Sequence, residues 1–201
     1  MTKEYKTFMR HAKKITKSAA AGNRPVLKGV KHFEDGSLAV TDSHRLYLIK
    51  DMHDKGDTNI TPDGQELEGN YPEIHRLIPD RGVGNITMTI NVDEMLKGAD
   101  IILTANTAAD VDNAPMHWDG DILYMDVPET IAARYELPED HTLETIESFS
   151  SNAKYWVDAL KLFKAFKYTE VVLEITNRIR PFTLTSPDGK LLALLMPIRT
   201  F

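Results

Sequence analysis

The last eleven residues of the chain, LLALLMPIRTF from Leu191 to Phe201, decide how its C-terminal part must fold. Leu191 to Met196 is an apolar run without polar alternation, which is typical of a strand buried on both faces. Pro197 ends that strand because it has no N–H to donate to a sheet. A free C-terminus is usually polar and frayed. This apolar ending therefore predicts either a core strand or one wall of a binding pocket.

Length and composition restrict the class of protein. The 201 residues allow one large domain or two small ones, and 42% apolar with 27% charged residues is typical of a globular protein. No apolar run approaches the roughly 20 residues of a membrane span, and the N-terminus lacks the apolar core of a signal peptide. The absence of cysteine excludes disulfides and thiolate metal sites. We expect a cytoplasmic protein that needs no metal or other cofactor.

The charge is unevenly distributed along the chain. The net charge is −6, yet residues 1–30 hold eight Lys and Arg residues against the single acid Glu4. Segregation of this kind indicates a basic face and a polyanionic partner.

Residues 4–19 have the periodicity of an amphipathic helix. Its apolar side comprises Tyr5, Phe8, Met9, Ala12, Ile15 and Ala19. Its opposite side carries only basic residues, namely Lys3, Lys6, Arg10, Lys13, Lys14 and Lys17. No acid interrupts this basic stripe, and like charges at this spacing repel each other. A phosphate-facing surface and a merely solvated face remain equally open interpretations.

The same order of predicted elements occurs three times along the chain, and the helix at residues 4–19 begins the first repeat. Each repeat combines a predicted helix with short strands and an Asp-Gly hairpin turn, at Gly36, Gly120 and Gly189. The predicted helices are 4–19, 93–103 and 152–167, and the predicted strands are 25–33, 37–49, 87–92, 130–137, 171–175, 182–185 and 190–196. Residues 116–127 are predicted to form a hairpin across Asp119-Gly120. Residues 51–70 are rich in turn formers and are predicted to be exposed, and residues 80–85 have the composition of a linker.

No pattern in the sequence indicates catalysis. There is no pair of carboxylates on one element, no Gly-rich phosphate loop and no nucleophile elbow. Asp42, Ser43 and His44 are adjacent, so on a strand they would point to opposite faces. The cluster of Asp51, His53 and Asp54 is more often solvated than metal-bound. We expect a protein that is not an enzyme.

Several stretches together resemble the bacterial DNA polymerase III β subunit, the sliding clamp. Arg24 to Val30 (RPVLKGV) and Thr41 to Leu46 (TDSHRL) are similar to two motifs of the family's middle domain. Tyr71 to Pro79 (YPEIHRLIP) looks like its YPDYRRLIP segment. Leu194 to Arg199 (LLMPIR) is close to the family's ending, and residues 148–185 are typical of its last domain. The motifs also occur in the family's order.

The resemblance implies an α+β DNA-clamp fold of three helix-plus-antiparallel-sheet repeats, about one and a half clamp domains. Residues 1–80 would be a truncated middle domain and 81–201 a complete C-terminal domain. The resemblance also implies a hydrophobic pocket for short peptides, formed by Val26, Leu27, Thr41, His44, Arg45, Leu46, Pro79, Leu194, Met196, Pro197 and Arg199. Double-stranded DNA would contact Lys3, Lys6, Arg10, Lys13, Lys14, Lys17, Arg24, Lys154, Lys161 and Lys164.

A full clamp chain has six such repeats, and its ring closes between the first domain of one chain and the third domain of its neighbour. That interface cannot form here in the usual way. A half-domain would expose apolar surface, so we expect a homo-oligomer that associates through residues 1–50. One hypothesis is a minimal clamp of phage or prophage origin that binds duplex DNA and tethers a polymerase. The alternative is a clamp-derived module that recruits or sequesters clamp-binding proteins without encircling DNA.

Overall fold

The computed structural model describes residues 2–19, 24–79, 86–138 and 149–198. Its contacts divide the chain into two compact units. Unit 1 consists of Met1–Pro79 together with Thr185–Leu194, and unit 2 consists of Asp80–Leu184 together with Leu195–Phe201. The C-terminal part of the chain thus returns to unit 1 for one strand. The assignment of clamp domains to residues 1–80 and 81–201 stays a prediction.

Unit 1 is one long helix on a small sheet. In chain order its elements are α1 (Lys3–Ala19), a 3-10 helix (Pro25–Lys28), β1 (Val30–His32), β2 (Leu38–Thr41), β3 (Arg45–Ile49), β4 (Thr58–Ile60), a second 3-10 helix (Ile74–Leu77) and β12 (Leu191–Leu195). The sheet has the strand order β4-β1-β2-β3-β12, in which β1 pairs antiparallel with both β2 and β4.

Helix α1 forms as its periodicity predicts. Its apolar residues Tyr5, Phe8, Met9, Ala12 and Ile15 are buried, and the helix packs on β1 and β2. All six basic residues of the predicted stripe are exposed. Burial of one apolar face against the sheet, rather than helix propensity alone, is what stabilises a helix of this length.

Two predicted segments of unit 1 differ from the structure. Residues 25–33 are not one strand, because Pro25 begins a 3-10 helix and the strand starts only at Val30. Residues 51–70 are not simply exposed turns. They contain β4, and Asn59 within β4 is 4% exposed. The Pro62-Asp63-Gly64 sequence after it makes a tight turn, in which the Thr61 N–H donates to the Gln65 carbonyl at 2.7 Å.

Unit 2 contains two helices and seven strands among the described residues. The elements are β5 (Ile86–Asn91), α2 (Val92–Ala108), β6 (Pro115–Asp119), β7 (Ile122–Val127), β8 (Ile131–Glu136), β9 (Phe149–Asn152), α3 (Ala153–Ala165), β10 (Glu170–Ile175) and β11 (Phe182–Thr185). The strands are ordered β11-β10-β5 in one group and β8-β7-β6-β9 in the other, and helices α2 and α3 pack against each other.

Both helices of unit 2 begin at an asparagine cap. The Asn91 side chain accepts from the Asp93 and Glu94 N–H groups, and the Asn152 side chain accepts from the Lys154 N–H. Helix α2 continues to Ala108, five residues beyond the predicted end at Leu103. Asn106 supports this extension, since its Nδ2 donates to the carbonyls of Ile102 and Pro115.

The predicted fold class is confirmed, because the architecture is α+β with antiparallel strand pairing. The three predicted Asp-Gly turns are present, with left-handed φ angles of 82° at Gly36, 56° at Gly120 and 69° at Gly189. The C-terminal run forms β12, in which only Leu192 is half-buried and the other four residues are buried. Within residues 2–19, 24–79, 86–138 and 149–198, no helix is both long and apolar enough to cross a membrane.

Candidate peptide pocket and nucleic-acid interface

An apolar cluster lies on the face of the unit 1 sheet that α1 does not cover. Five buried side chains form it, and no α1 residue takes part: Ala39, Leu46, Leu48, Ile74 and Leu194. Four half-buried residues pack against it: Phe33, Tyr71, Ile78 and Leu192. Two strand registers explain the grouping, because Ala39 is opposite Leu48 and Thr41 is opposite Leu46. We refer to these nine residues as the outer cluster.

The turn between β2 and β3 forms one end of this face. The Asp42 carboxylate accepts from the N–H groups of His44 and Arg45, both at 3.1 Å, and from Arg45 Nε at 3.0 Å. Ser43 has a left-handed φ of 77°. Thr41 donates its hydroxyl to the Arg45 carbonyl at 2.7 Å. These bonds fix the backbone of the turn around a buried ion pair.

Tyr71 joins this turn to the segment that covers the outer cluster. Its hydroxyl oxygen accepts from the Thr41 N–H at 3.1 Å. Burial raises the pKa of the Tyr71 hydroxyl, so the group stays neutral. The bond holds the Tyr71–Ile78 segment beside β2, and Leu46, Leu194 and Ile78 then share one apolar surface.

The structure brings some of the predicted pocket residues together. Leu46 and Leu194 are in the outer cluster, Thr41 is opposite Leu46, and Pro79 follows Ile78 and is half-buried. Arg45 lies below the surface, since its side chain is 2% exposed and is engaged by Asp42. His44 is exposed. The polar side chains that this turn presents to solvent are therefore those of Ser43 and His44 rather than that of Arg45.

The remaining predicted pocket residues are not among the nine residues of the outer cluster. Val26 and Leu27 are on the first 3-10 helix and are not part of the outer cluster. Met196 and Pro197 belong to unit 2, where Pro197 bridges to Ser151. Arg199 is outside the described residues. The membership of these residues in one pocket stays a prediction.

The predicted DNA-binding residues of unit 1 line α1. A groove of about 420 Å³ borders Lys6, Arg10 and Lys13 on one side and the Thr61–Gly64 turn on the other. Asp63 reaches this surface from outside the helix, where its carboxylate lies 2.8 Å from Lys13 Nζ. Sequence reasoning missed Asp63, although Pro62-Asp63-Gly64 is a recognisable turn sequence. Arg24 is exposed, at the start of the first 3-10 helix.

The predicted DNA-binding lysines of unit 2 are in a different electrostatic setting. Lys154 pairs with Asp158 at 3.0 Å, Lys161 with Asp100 at 3.4 Å, and Lys164 with Asp93 at 2.6 Å. Asp93 and Asp100 are on α2, so two acids of α2 balance the charge of two lysines on α3. Ion pairing of this kind lowers the positive potential that the α3 lysines offer to a phosphate backbone.

The exposed apolar surface expected for residues 1–50 is not found. The exposed large apolar residues in the described ranges are Leu77, Ile101 and Ile179, and none of them is within residues 1–50. The Thr58–Leu67 segment packs beside α1 and β1 and contributes to this burial. The physical reason for expecting self-association through residues 1–50 is therefore wrong for the described part of the chain.

The histidine of the Asp51, His53 and Asp54 cluster has its ring nitrogens engaged by the backbone. His53 Nδ1 accepts from the Lys55 N–H at 3.0 Å, and its Nε2 faces the Ser37 carbonyl at 3.0 Å. Across the described ranges, no three His, Asp or Glu side chains converge on a point where a metal ion could be held.

Comparisons with known proteins show which fold this chain has. The fold is that of a DNA polymerase sliding clamp. It matches the DNA polymerase III β chain of Streptococcus pneumoniae with a TM-score of 0.77 and 22% identity, over 97% of this chain and 63% of that one. It matches the sliding clamp of Bacillus subtilis with a TM-score of 0.77 and 22% identity, over 98% and 62%.

The sequence comparison points to the same proteins. The chain is 27% identical over 138 residues to the beta sliding clamp of Lactococcus lactis, covering 67% of this chain and 36% of that protein. It is 28% identical over 138 residues to that of Streptococcus pneumoniae. No protein-family profile matches. The resemblance to the bacterial sliding-clamp family is confirmed, and the alignments span about a third of the length of these relatives.

Proposed function

We propose that this protein is a sliding-clamp-like processivity factor of DNA replication. It binds duplex DNA without sequence preference and tethers a polymerase or other replication proteins that carry a clamp-binding peptide. The role is not catalytic. The main support for the proposal is that unit 1 has a basic surface and an apolar surface on opposite sides of its sheet. The basic stripe of α1 is on one side of the sheet, and the outer cluster is on the other.

The α1 stripe suits DNA because contacts to phosphates need exposed cations and no sequence readout. Lys6 and Arg10 are exposed and line the groove beside the helix. We expect Lys6→Glu with Arg10→Glu to weaken binding of a labelled duplex about tenfold or more, since both attraction and counterion release are lost. Fluorescence anisotropy at fixed salt measures this loss.

The matched control is Lys161→Glu with Lys164→Glu, which changes the net charge equally but alters lysines that are already paired with acids. We expect a smaller loss of affinity from this variant. Equal losses of duplex affinity in the two double variants would mean that only net charge matters. An unchanged affinity in the variant of Lys6 and Arg10 would exclude a DNA-binding role for α1.

The outer cluster suits a peptide because half-buried apolar side chains can receive aliphatic or aromatic anchors. We expect a fluorescein-labelled peptide with leucine and phenylalanine anchors to bind with micromolar affinity, about −8 kcal/mol. Ile78→Ala or Leu192→Ala should weaken binding severalfold. Leu77→Ala is the control, because Leu77 is 51% exposed and outside the outer cluster. An effect of Leu77→Ala equal to that of Ile78→Ala would contradict this site.

A clamp-derived peptide-binding module is the second candidate. The ion pairs of Lys154, Lys161 and Lys164 favour it, because they neutralise the helix face of unit 2 that would otherwise face DNA. Peptide binding without measurable duplex binding at low salt would support the module. Binding of both ligands would support the processivity factor.

A further inference from the structure

The groove between helix α1 and strand β4 of unit 1 has the size of a small-ligand site. Its volume is about 420 Å³, and small-molecule pockets occupy roughly 300–1,000 Å³. The described residues that line it come from α1, from the loop before β4 and from the end of β4 with the turn after it. A DNA duplex is too large to enter such a groove. Its ligand is therefore distinct from a duplex on the outer side of α1.

The groove is cationic along its helix side. Lys6, Arg10 and Lys13 lie at positions i, i+4 and i+7 of α1, so their side chains follow one another along one wall. Lys55 adds a fourth cation from the loop before β4. Lys13 pairs with Asp63 at 2.8 Å, but no Asp or Glu is among the described residues that line the groove. This excess of cations favours a ligand with several negative charges close together.

The rest of the lining is mostly apolar. Tyr5 and Met9 are buried beneath the cations, and Ile60 and Pro62 are half-buried on the side of β4 and its turn. The Thr61 hydroxyl already accepts a backbone N–H at 2.9 Å. Apolar walls contribute nothing to the binding of an inorganic anion, whereas they can receive the sugar and base of a nucleoside. With so few polar groups, the lining has little that could distinguish one base from another.

The Lys55 end of the groove is held in place by the interior of unit 1. The Lys55 N–H donates to His53 Nδ1 at 3.0 Å, and Lys55 Nζ lies 6.0 Å from the Tyr5 ring centre. The Tyr5 hydroxyl is itself bonded to His32 Nε2 at 2.8 Å. An ammonium group is thus positioned beside the apolar floor before any ligand arrives, which lowers the entropy lost on binding.

We propose that this groove binds a free nucleoside triphosphate. The phosphate chain lies along the three α1 cations with Lys55 at its end, and the nucleoside rests between Met9 and Pro62. Arg10 can contact two oxygens of one phosphate group at once. A magnesium ion on a nucleotide is usually held by protein carboxylates, which the described lining does not offer. The cations therefore neutralise the phosphates themselves, and binding does not require magnesium.

This inference stands apart from the proposed function, because the nucleotide is measured without DNA or peptide. We expect the fluorescent nucleoside triphosphate mant-ATP to bind the full chain with a Kd of roughly 10–100 μM, as measured by fluorescence anisotropy. Unlabelled ATP and dTTP should displace it equally, and magnesium should not strengthen binding. No binding in this range overturns the proposal. A single-stranded oligonucleotide that displaces mant-ATP better than ATP also overturns it, because the groove would then serve a DNA strand.

Lys55→Glu tests the groove separately from the basic stripe, because Lys55 is not on α1. We expect this variant to weaken mant-ATP binding about tenfold or more, since an attraction becomes a repulsion. Lys50→Glu is the matched control. Lys50 is exposed and outside the described lining, and its reversal changes the net charge equally. Equal losses in the two variants would overturn the site, because only net charge would then attract the nucleotide. Circular dichroism confirms that both variants are folded.

A competition series tests the role assigned to the apolar walls. Inorganic triphosphate has the charge without the nucleoside, and adenosine has the nucleoside without the charge. We expect ATP to displace mant-ATP at a severalfold lower concentration than inorganic triphosphate, and adenosine to be the weakest competitor. Equal displacement by ATP and inorganic triphosphate would mean that the cations alone bind, and this result overturns the assignment to a nucleoside triphosphate.

Discussion

His32 shows how a single buried side chain joins helix α1 to the sheet of unit 1. Its Nδ1 lies 3.0 Å from the Val30 carbonyl, which can only accept, so Nδ1 carries the proton. Its Nε2 therefore accepts from the Tyr5 hydroxyl at 2.8 Å. The ring centre of His53 is 4.8 Å away. With the imidazole neutral, both ring nitrogens of His32 have a hydrogen-bond partner.

This arrangement makes the stability of unit 1 depend on pH. Burial, together with the nearby His53, Lys55 and Lys31, lowers the pKa of His32 to about 4, against a bond to the Val30 carbonyl that raises it. In the unfolded chain the His32 imidazole is protonated below about pH 6.5. Neutral His32 therefore contributes fully to the free energy of unfolding above pH 6.5, and this contribution is lost as pH falls from 6.5 to 4. We expect the free energy of unfolding to drop by up to about 3 kcal/mol over this window, as measured by urea denaturation.

His32→Gln is the control for this titration. Glutamine can accept from the Tyr5 hydroxyl but does not ionise between pH 4 and 7. A smaller slope remains in this variant, because burial also lowers the pKa of His117 in unit 2. An unchanged pH dependence in the glutamine variant would show that other groups account for the acid loss.

At the scale of elements, the first 3-10 helix of unit 1 is attached to β4 by one side chain. Asn59 Nδ2 donates to the Val26 carbonyl at 2.8 Å, and its Oδ1 has no hydrogen-bond partner among the described residues. Gly29 ends this 3-10 helix and leaves the space that Asn59 fills. A Cβ atom at Gly29 would be 2.1 Å from Asn59 Oδ1. The position of Val26 and Leu27, two predicted pocket residues, thus depends on Gly29 and Asn59 together.

We expect Gly29→Ala to destabilise unit 1 by about 1–3 kcal/mol, because the added methyl group overlaps a buried amide that has little room to move. Asn59→Ala removes this overlap. The double variant G29A/N59A should therefore be more stable than the sum of the two single losses in urea denaturation. Additive losses would show that the two residues do not meet.

The elements also show what the sequence could and could not predict. Helix α1 and strand β12 were predictable because strong periodicity in one case and continuous apolarity in the other leave few alternatives. β4 was not, since Thr58–Ile60 is short and polar and exists only through pairing with β1. The same limit applies to sites. Leu46 and Leu194 follow from motif resemblance, but the ion pair between Asp42 and Arg45 and the α2–α3 pairs depend on distances that no local pattern contains.

At the scale of the whole molecule, charge is segregated between α1 and the remainder. Helix α1 carries six basic residues and one acid, a net charge of +5. Subtracting this from the chain's −6 leaves −11 on all other residues. A polyanion is therefore repelled by most of the surface and attracted by one helix, which would orient the approach of the proposed DNA partner. Asp63 opposes this attraction, because it pairs with Lys13 on that helix.

We expect duplex affinity to fall steeply with salt and to change little with sequence. If most of the α1 cations contact phosphates, the slope of log K against log salt is about −4 to −5. Asp63→Asn frees Lys13 and should tighten binding severalfold and steepen the slope by about 1. Asp57→Asn is the matched control, since Asp57 is also exposed but pairs with Lys31 on β1. The two variants change the net charge equally, so equal effects on the salt slope would show that the Lys13–Asp63 pair does not limit DNA binding.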